Sequence, residues 1–258
     1  MKVVILAGGF GTRLLEETTA RPKPMVEIGG RPILWHIMKH YSVFGHHDFI
    51  ICLGYKGDII RDYFYNYRIM NTDAVVDLGS GSVTTLDARH DEASWKVLLA
   101  ETGLGTGTGG RIKGVEKYIE DDIFLATYGD SLSDVPIDKV IEHHKKMGRV
   151  ATMCVMHTSQ RFGVVATDDG MVTKFEEKPE INAEWINGGF YVFSRKVFDY
   201  LSSDEDCLLE QEPLRQLVAD GQLSAYEHEG CHRAMDSLRD MRALNEEWDS
   251  GQAPWKTW

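Results

Sequence analysis

The 258-residue sequence holds only four cysteines, Cys52, Cys154, Cys207 and Cys231, far apart and without a C-x-x-C pair. That spacing argues against a structural zinc site and gives no disulfide framework, so reduced thiols are expected. Lys and Arg never run beyond a pair, and the net charge is −12. A nucleic-acid partner needs a basic face, so that class is set aside. Apolar runs are short as well. Val3 to Ala7 is too brief for a signal core or a bilayer span, and no other stretch reaches membrane length. No segment is rich in Ser, Pro or Gln, which argues against disorder. What remains is 43% hydrophobic, enough for one sizeable core, and a cytoplasmic protein with no membrane partner is expected.

The β-branched run at residues 2–7 stops at Gly8-Gly9 and reads as a buried strand. Pro32 to Phe44 has the apolar spacing of a helix, with Pro32 in its first turn. Asp48 to Leu53 reads as a second strand and Asp58 to Tyr67 as a second helix. This β-α-β-α order predicts a parallel sheet covered by helices. Shorter strands are expected within 75–86, 95–101, 123–128, 150–156 and 163–193, and helices near 112–118, 138–147, 210–219 and 238–249. With no linker-like break in composition, we expect a single domain over 1–258. Within it, chain positions fall into about 1–130, about 131–240 and a C-terminal segment 241–258.

Chemistry concentrates in Leu6-Ala7-Gly8-Gly9-Phe10-Gly11-Thr12-Arg13-Leu14. Glycines directly after a buried strand permit positive φ and let backbone N–H groups approach a ligand closely, an arrangement suited to phosphate oxygens. Thr12 adds a hydroxyl, and Arg13 a guanidinium fork. A dinucleotide fingerprint is ruled out because Leu14 stands where its third glycine belongs. A P-loop is ruled out because no Lys precedes Thr12. In Arg21-Pro22-Lys23-Pro24-Met25 the prolines restrict the backbone, so the Lys23 ammonium can be offered to a phosphate at low entropic cost.

Together these segments resemble the G-G-x-G-T-R-L … K-P-M signature of sugar-1-phosphate nucleotidyltransferases. The stretch Lys23–Tyr41 and the runs Gly54-Tyr55-Lys56-Gly57, Thr108-Gly109-Gly110-Arg111, Tyr128-Gly129-Asp130 and Arg161-Phe162-Gly163 are similar to the glucose-1-phosphate cytidylyltransferase family. So are Glu177-Lys178-Pro179, Ile186-Asn187-Gly188-Gly189-Phe190, Glu210-Gln211-Glu212-Pro213-Leu214, Met235-Asp236 and the closing Ala253–Trp258, so the resemblance spans the chain.

The resemblance implies a Rossmann-like α/β fold with a mixed, mostly parallel sheet flanked by helices, its nucleotide-binding part at about 1–130 and a smaller sugar-phosphate-binding region in the second half at about 131–240. It further implies that Leu6, Ala7, Gly8, Gly9, Gly11, Thr12, Arg13 and Lys23 surround the triphosphate, and that Thr102, Gly103, Thr108, Arg111, Tyr128 and Gly129 lie near the nucleotide. Arg13, Lys23 and Asp130 would be catalytic, Asp130 and Asp236 would hold Mg²⁺, and Glu177, Lys178, Asn187, Gly188 and Gly189 would bind the sugar phosphate. The implied reaction is in-line attack of a sugar 1-phosphate on the α-phosphorus of CTP, with pyrophosphate leaving. Its nucleophile is already ionised, so no general base is needed. A uridylyl- or thymidylyltransferase and a non-catalytic sugar-nucleotide sensor stay open as alternatives.

The histidines are given structural or solvated roles. His36 and His40 have ligand spacing on a helix but no third ligand, and the adjacent pairs His46-His47 and His143-His144 are expected to face solvent. Trp255 and Trp258 are expected to bury against a second copy in a homo-oligomer. The sequence departs from the family pattern at Ser131, where glycine is usual, at Thr158-Ser159-Gln160 and at His232-Arg233-Ala234. Arg233 is therefore expected to place a positive group near the sugar site, suited to a more acidic acceptor.

Overall fold

The computed structural model describes residues 1–86, 92–157, 164–168, 171–176 and 185–258. Seven strands form the central sheet: β1 (Lys2–Leu6), β2 (Asp48–Leu53), β3 (Lys96–Glu101), β4 (Ile123–Tyr128), β5 (Ala151–Met156), β6 (Ile186–Ser194) and β7 (Leu223–His228). Their spatial order is β7-β5-β6-β4-β1-β2-β3. β1 runs parallel to β2 and β4, β2 parallel to β3, and β5 parallel to β7, while β6 is antiparallel to both its neighbours. The sheet is thus mixed and mostly parallel.

Period-two alternation divides the core into two layers. Val3, Ile5, Phe49, Ile51 and Leu125 face one side, where they meet the helices Ile33–Val43, Ile137–Met147 and Leu238–Asp249. Val4, Ile50, Cys52, Phe124 and Ala126 face the other, against the helices Thr108–Gly114 and Glu212–Ala219. Burying one such side chain stabilises the fold by about 1.5–3 kcal/mol. From β1 the chain steps outward to β2 and β3, then returns to place β4 on the other flank of β1. That reversal opens a crevice at the carboxyl ends of β1 and β4, where open α/β sheets bind ligands.

Several expectations are revised. The helix expected near 112–118 begins at Thr108, inside the glycine-dense stretch, and a separate 3₁₀ turn follows at Glu116–Tyr118. Glycines 107, 109 and 110 pack directly on residues 204–209, and a Cβ on Gly109 would lie 2.7 Å from Cys207 Sγ. Close packing, which local propensity does not report, keeps this stretch helical. His46 and His144 are buried rather than solvated, and His144 bonds Thr152 and Ser194. Trp255 needs no second subunit, because it is 1% exposed within its own chain's core. Trp258 packs edge-on to Trp35, 5.9 Å between ring centroids. No helix of the described residues is long and apolar enough to cross a membrane.

Candidate active site

A cleft of about 390 Å³ lies at the carboxyl ends of β1 and β4. The loop after β1 supplies Ala7 to Arg13, the turn at Lys23-Pro24 the floor, and Tyr128 to Asp130 the opposite wall. Of the expected nucleotide-binding residues, Leu6, Ala7, Gly8, Gly9, Gly11, Thr12, Arg13, Lys23, Thr108, Arg111, Tyr128 and Gly129 all line it. Phe10, Pro24, Leu208 and the loop 104–107 line it as well. Phe10, an exposed aromatic set among glycines, was a readable signal; Leu208 comes from a distant segment and had none.

The glycines of the loop have different duties. Gly11 takes φ +62 and turns the chain toward Thr12. Its carbonyl accepts the Thr18 hydroxyl at 3.2 Å. Gly8 is needed for close approach, since a Cβ there would fall 2.2 Å from Arg111 Nη1. The helix after the loop is slight, a 3₁₀ turn at Thr12–Leu14 and one turn at Leu15–Thr18, so the loop's own N–H groups must do most of any phosphate binding.

Arg111 lines the cleft, yet its guanidinium is committed to the scaffold. Nη1 donates to Leu53 O, Thr102 Oγ1 and Gly103 O at 2.8–2.9 Å. Nη2 donates to Gly8 O at 3.0 Å and Leu104 O at 3.3 Å. Arg111 is 4% exposed, and burial pushes its pKa down. Thr102 and Gly103 stand behind the cleft wall as its partners, and Thr102 also donates to Leu53 O. Three loops are thereby pinned to one cation.

Lys23 serves the opposite purpose. It sits in a short turn, Lys23–Met25, whose Pro24 and Met25 are buried, and its own side chain is 9% exposed. Its Nζ donates to Asp130 Oδ2 at 2.7 Å and Asp236 Oδ1 at 2.8 Å. Arg13 Nη1 takes the other oxygen of Asp236 at 2.9 Å, with 75% of its side chain exposed. The two carboxylates meet because the strands Ser131–Ser133 and His232–Ala234 pair, Ser131 opposite Ala234, and Met235 N bonds Asp130 O. A capping box at Ser237 and Asp240 starts the helix Leu238–Asp249. Asp240 also accepts the Asp236 N–H, which fixes that backbone.

The departures from the family pattern acquire physical content here. Ser131 is buried, and its hydroxyl donates to Asp130 Oδ1 at 3.2 Å. Arg233 does not bring an unpaired charge toward the sugar site, because Glu247 accepts from its Nε at 3.0 Å. Thr158-Ser159-Gln160, Arg161-Phe162-Gly163, Glu177 and Lys178 lie outside the described residues.

On the far side of Tyr128 stand Asn187, Gly188 and Gly189. They do not line the cleft, but a Cβ on Gly189 would come within 2.5 Å of the Tyr128 ring. Burial first, then the neighbouring Tyr191 and Glu210, push the Tyr128 phenol far up, so it stays a proton donor. The helix histidines are excluded as acids or bases. Burial lowers His36 and His40 to about 4, and each ring bonds a backbone carbonyl, Ile28 and Val135 respectively.

Residues 2–232 match the nucleotidyl transferase family model. The glucose-1-phosphate cytidylyltransferase of Salmonella typhi is 48% identical, with both chains covered in full. The probable glucose-1-phosphate cytidylyltransferase of Bacillus subtilis is 43% identical, again over both whole chains. Among solved structures, HddC from Yersinia pseudotuberculosis superposes with a TM-score of 0.68 at 26% identity, covering 96% of this chain and 99% of that one. A UDP-glucose pyrophosphorylase bound to UDP-glucose reaches 0.69 at 18% identity over 97% and 98%, a likeness of fold alone. The chain therefore belongs to the nucleotidyl transferase family and, within it, to the glucose-1-phosphate cytidylyltransferases.

Proposed function

We propose that this enzyme transfers the cytidylyl group of CTP to a sugar 1-phosphate, with glucose 1-phosphate its first candidate, giving a CDP-sugar and pyrophosphate. The observation that carries this reading is the meeting of Lys23 with Asp130 and Asp236 beside the glycine loop. Full-length likeness to glucose-1-phosphate cytidylyltransferases supports the choice of donor and acceptor.

Asp130 and Asp236 fit Mg²⁺, because both offer hard carboxylate oxygens close enough to share one ammonium. Among the described residues no group of three or more His, Cys, Asp or Glu side chains is arranged to hold a metal ion, so triphosphate oxygens and water would complete the coordination. When bound, the ion adds positive charge at the phosphates under attack.

The chain's own residues do the rest. The N–H groups of residues 8–13 and the Thr12 hydroxyl hold the triphosphate. Lys23 lies where it can neutralise the α-phosphate, and the exposed Arg13 can turn from Asp236 to the departing pyrophosphate. Glu177 would take sugar hydroxyls and Lys178 the sugar phosphate, with Asn187, Gly188 and Gly189 beside them. A phosphate oxygen attacks in line, and no side chain need remove a proton. A homo-oligomer remains part of the proposal.

Pyrophosphate release, measured with CTP, UTP, GTP, ATP and dTTP against glucose 1-phosphate and a panel of other sugar 1-phosphates, tests the reading. CTP should be preferred by about 100-fold or more, because a site built for the cytosine donor leaves a group unpaired with uracil. Absence of release with every pair would overturn the reading in favour of a sugar-nucleotide sensor.

A further inference from the structure

Glu210 opens one of the runs that carry the family resemblance, which assigned it no role, yet it joins the two walls of the site. Its surroundings fix the direction of every hydrogen bond between them. The Gly189 N–H donates to Asn187 Oδ1 at 2.9 Å, so the amide nitrogen of Asn187 points the other way and donates to the Tyr191 hydroxyl at 2.6 Å. The proton of Tyr191 is then directed to the Tyr128 hydroxyl, 3.1 Å away, and Tyr128 donates to Glu210 Oε1. From the other side, the Leu209 N–H donates to Thr108 Oγ1 at 2.9 Å, and Thr108 donates to Glu210 Oε2 at 2.6 Å. A carboxylate is the one side chain that accepts at both oxygens without offering a proton. Both relays therefore end on it.

We propose that Glu210 is a positioning residue for the transfer reaction, the common terminus of two hydrogen-bond relays that set the acceptor-side Asn187–Gly189 segment and the nucleotide-side Thr108 at a fixed spacing. The inference rests on the reading of the two sides given above. Tyr128, which lines the nucleotide cleft and touches Gly189, is the link through which it acts. Burial also holds the Tyr191 phenol up at about 12, so both tyrosines remain donors at neutral pH. Loss of the terminal acceptor should loosen both substrate sites while leaving Lys23, Asp130 and Asp236 in place.

Glu210→Gln keeps the size but turns an N–H toward one of the two hydroxyls. In Glu210→Gln, Tyr128→Phe and the double variant, KM for CTP and for glucose 1-phosphate should each rise about tenfold, with kcat within about twofold. The double variant should be no worse than the single ones, since residues in one network are not additive. The melting temperature of Glu210→Gln should stay within about 2 °C of the wild type, because the side chain is exposed. Unchanged KM values, or effects that add in the double variant, would overturn the proposal.

Hydrogen exchange at the Leu209 and Gly189 amides provides a readout free of substrate. Protection should fall at both in Glu210→Gln, and an unaltered Gly189 would overturn the relay whatever the wild-type turnover. An inactive wild type whose variant still shows the response at both amides would instead sink the CTP reading and leave the relay standing.

Discussion

Two buried cations stand within the same cleft and do opposite things. Arg111 spends its guanidinium on backbone carbonyls from three loops, bonds that a ligand could replace only by dismantling the wall. Lys23 spends its ammonium on two carboxylates, partners that a divalent cation or a phosphate can redistribute without moving the backbone. The guanidinium suits the first task because its rigid fork reaches several acceptors at once, whereas a lysine is a compact, mobile point charge. Burial alone therefore does not tell a scaffolding cation from one whose partners can be exchanged. The identity of the acceptors does.

The contrast is broken most severely by Lys23→Met, which removes the cation that Asp130 and Asp236 share. Steady-state assays should show kcat/KM falling by about 1,000-fold, the scale expected for loss of a charge that stabilises the transferring phosphoryl group. Thermal melting of that variant should also respond more strongly to Mg²⁺ than the wild type does.

Arg111→Met should divide the effects the other way. Chemical denaturation should report about 3 kcal/mol of lost stability, since buried carbonyls lose a hydrogen-bonded charge. A variant that kept wild-type stability but lost nucleotide binding would make Arg111 a ligand and erase the distinction.

Smaller effects sharpen it. Ser131→Gly removes one hydroxyl donor to Asp130, and kcat/KM should change by about threefold at most. Arg233→Gln should leave turnover of glucose 1-phosphate within about twofold, because Glu247 already holds that guanidinium. A marked gain for a neutral sugar, or loss for an acidic one, would restore a role for Arg233 in acceptor choice.

The glycine loop was legible in the sequence because its parts are contiguous: a buried strand, a run of glycines and Thr12-Arg13 must share one place. The 3₁₀ turn and the single helical turn that follow it were not, since a segment that short has no periodicity to read. The pairing of Asp236 with Asp130 was available only through family likeness, as 106 residues separate them and a three-residue strand pair joins them. Arg111 was expected near the nucleotide, but its bonds to Leu53, Gly103 and Gly8 carbonyls could not be read, because a motif states which side chain is present and not which way it turns. Trp255 was misread for a related reason: a tail with no periodicity gives no sign of the core it enters.

The sequence by itself determined what depends on neighbours along the chain: alternating strands, the glycine turn after β1, the proline-flanked lysine, and through likeness the family. Tertiary structure alone decided that Lys23 lies between two carboxylates, that Arg111 faces carbonyls, and that Glu210 joins the two walls. These are meetings between segments remote in sequence, settled by how buried charges and polar groups find partners once water is excluded. Chain order carries no record of that search.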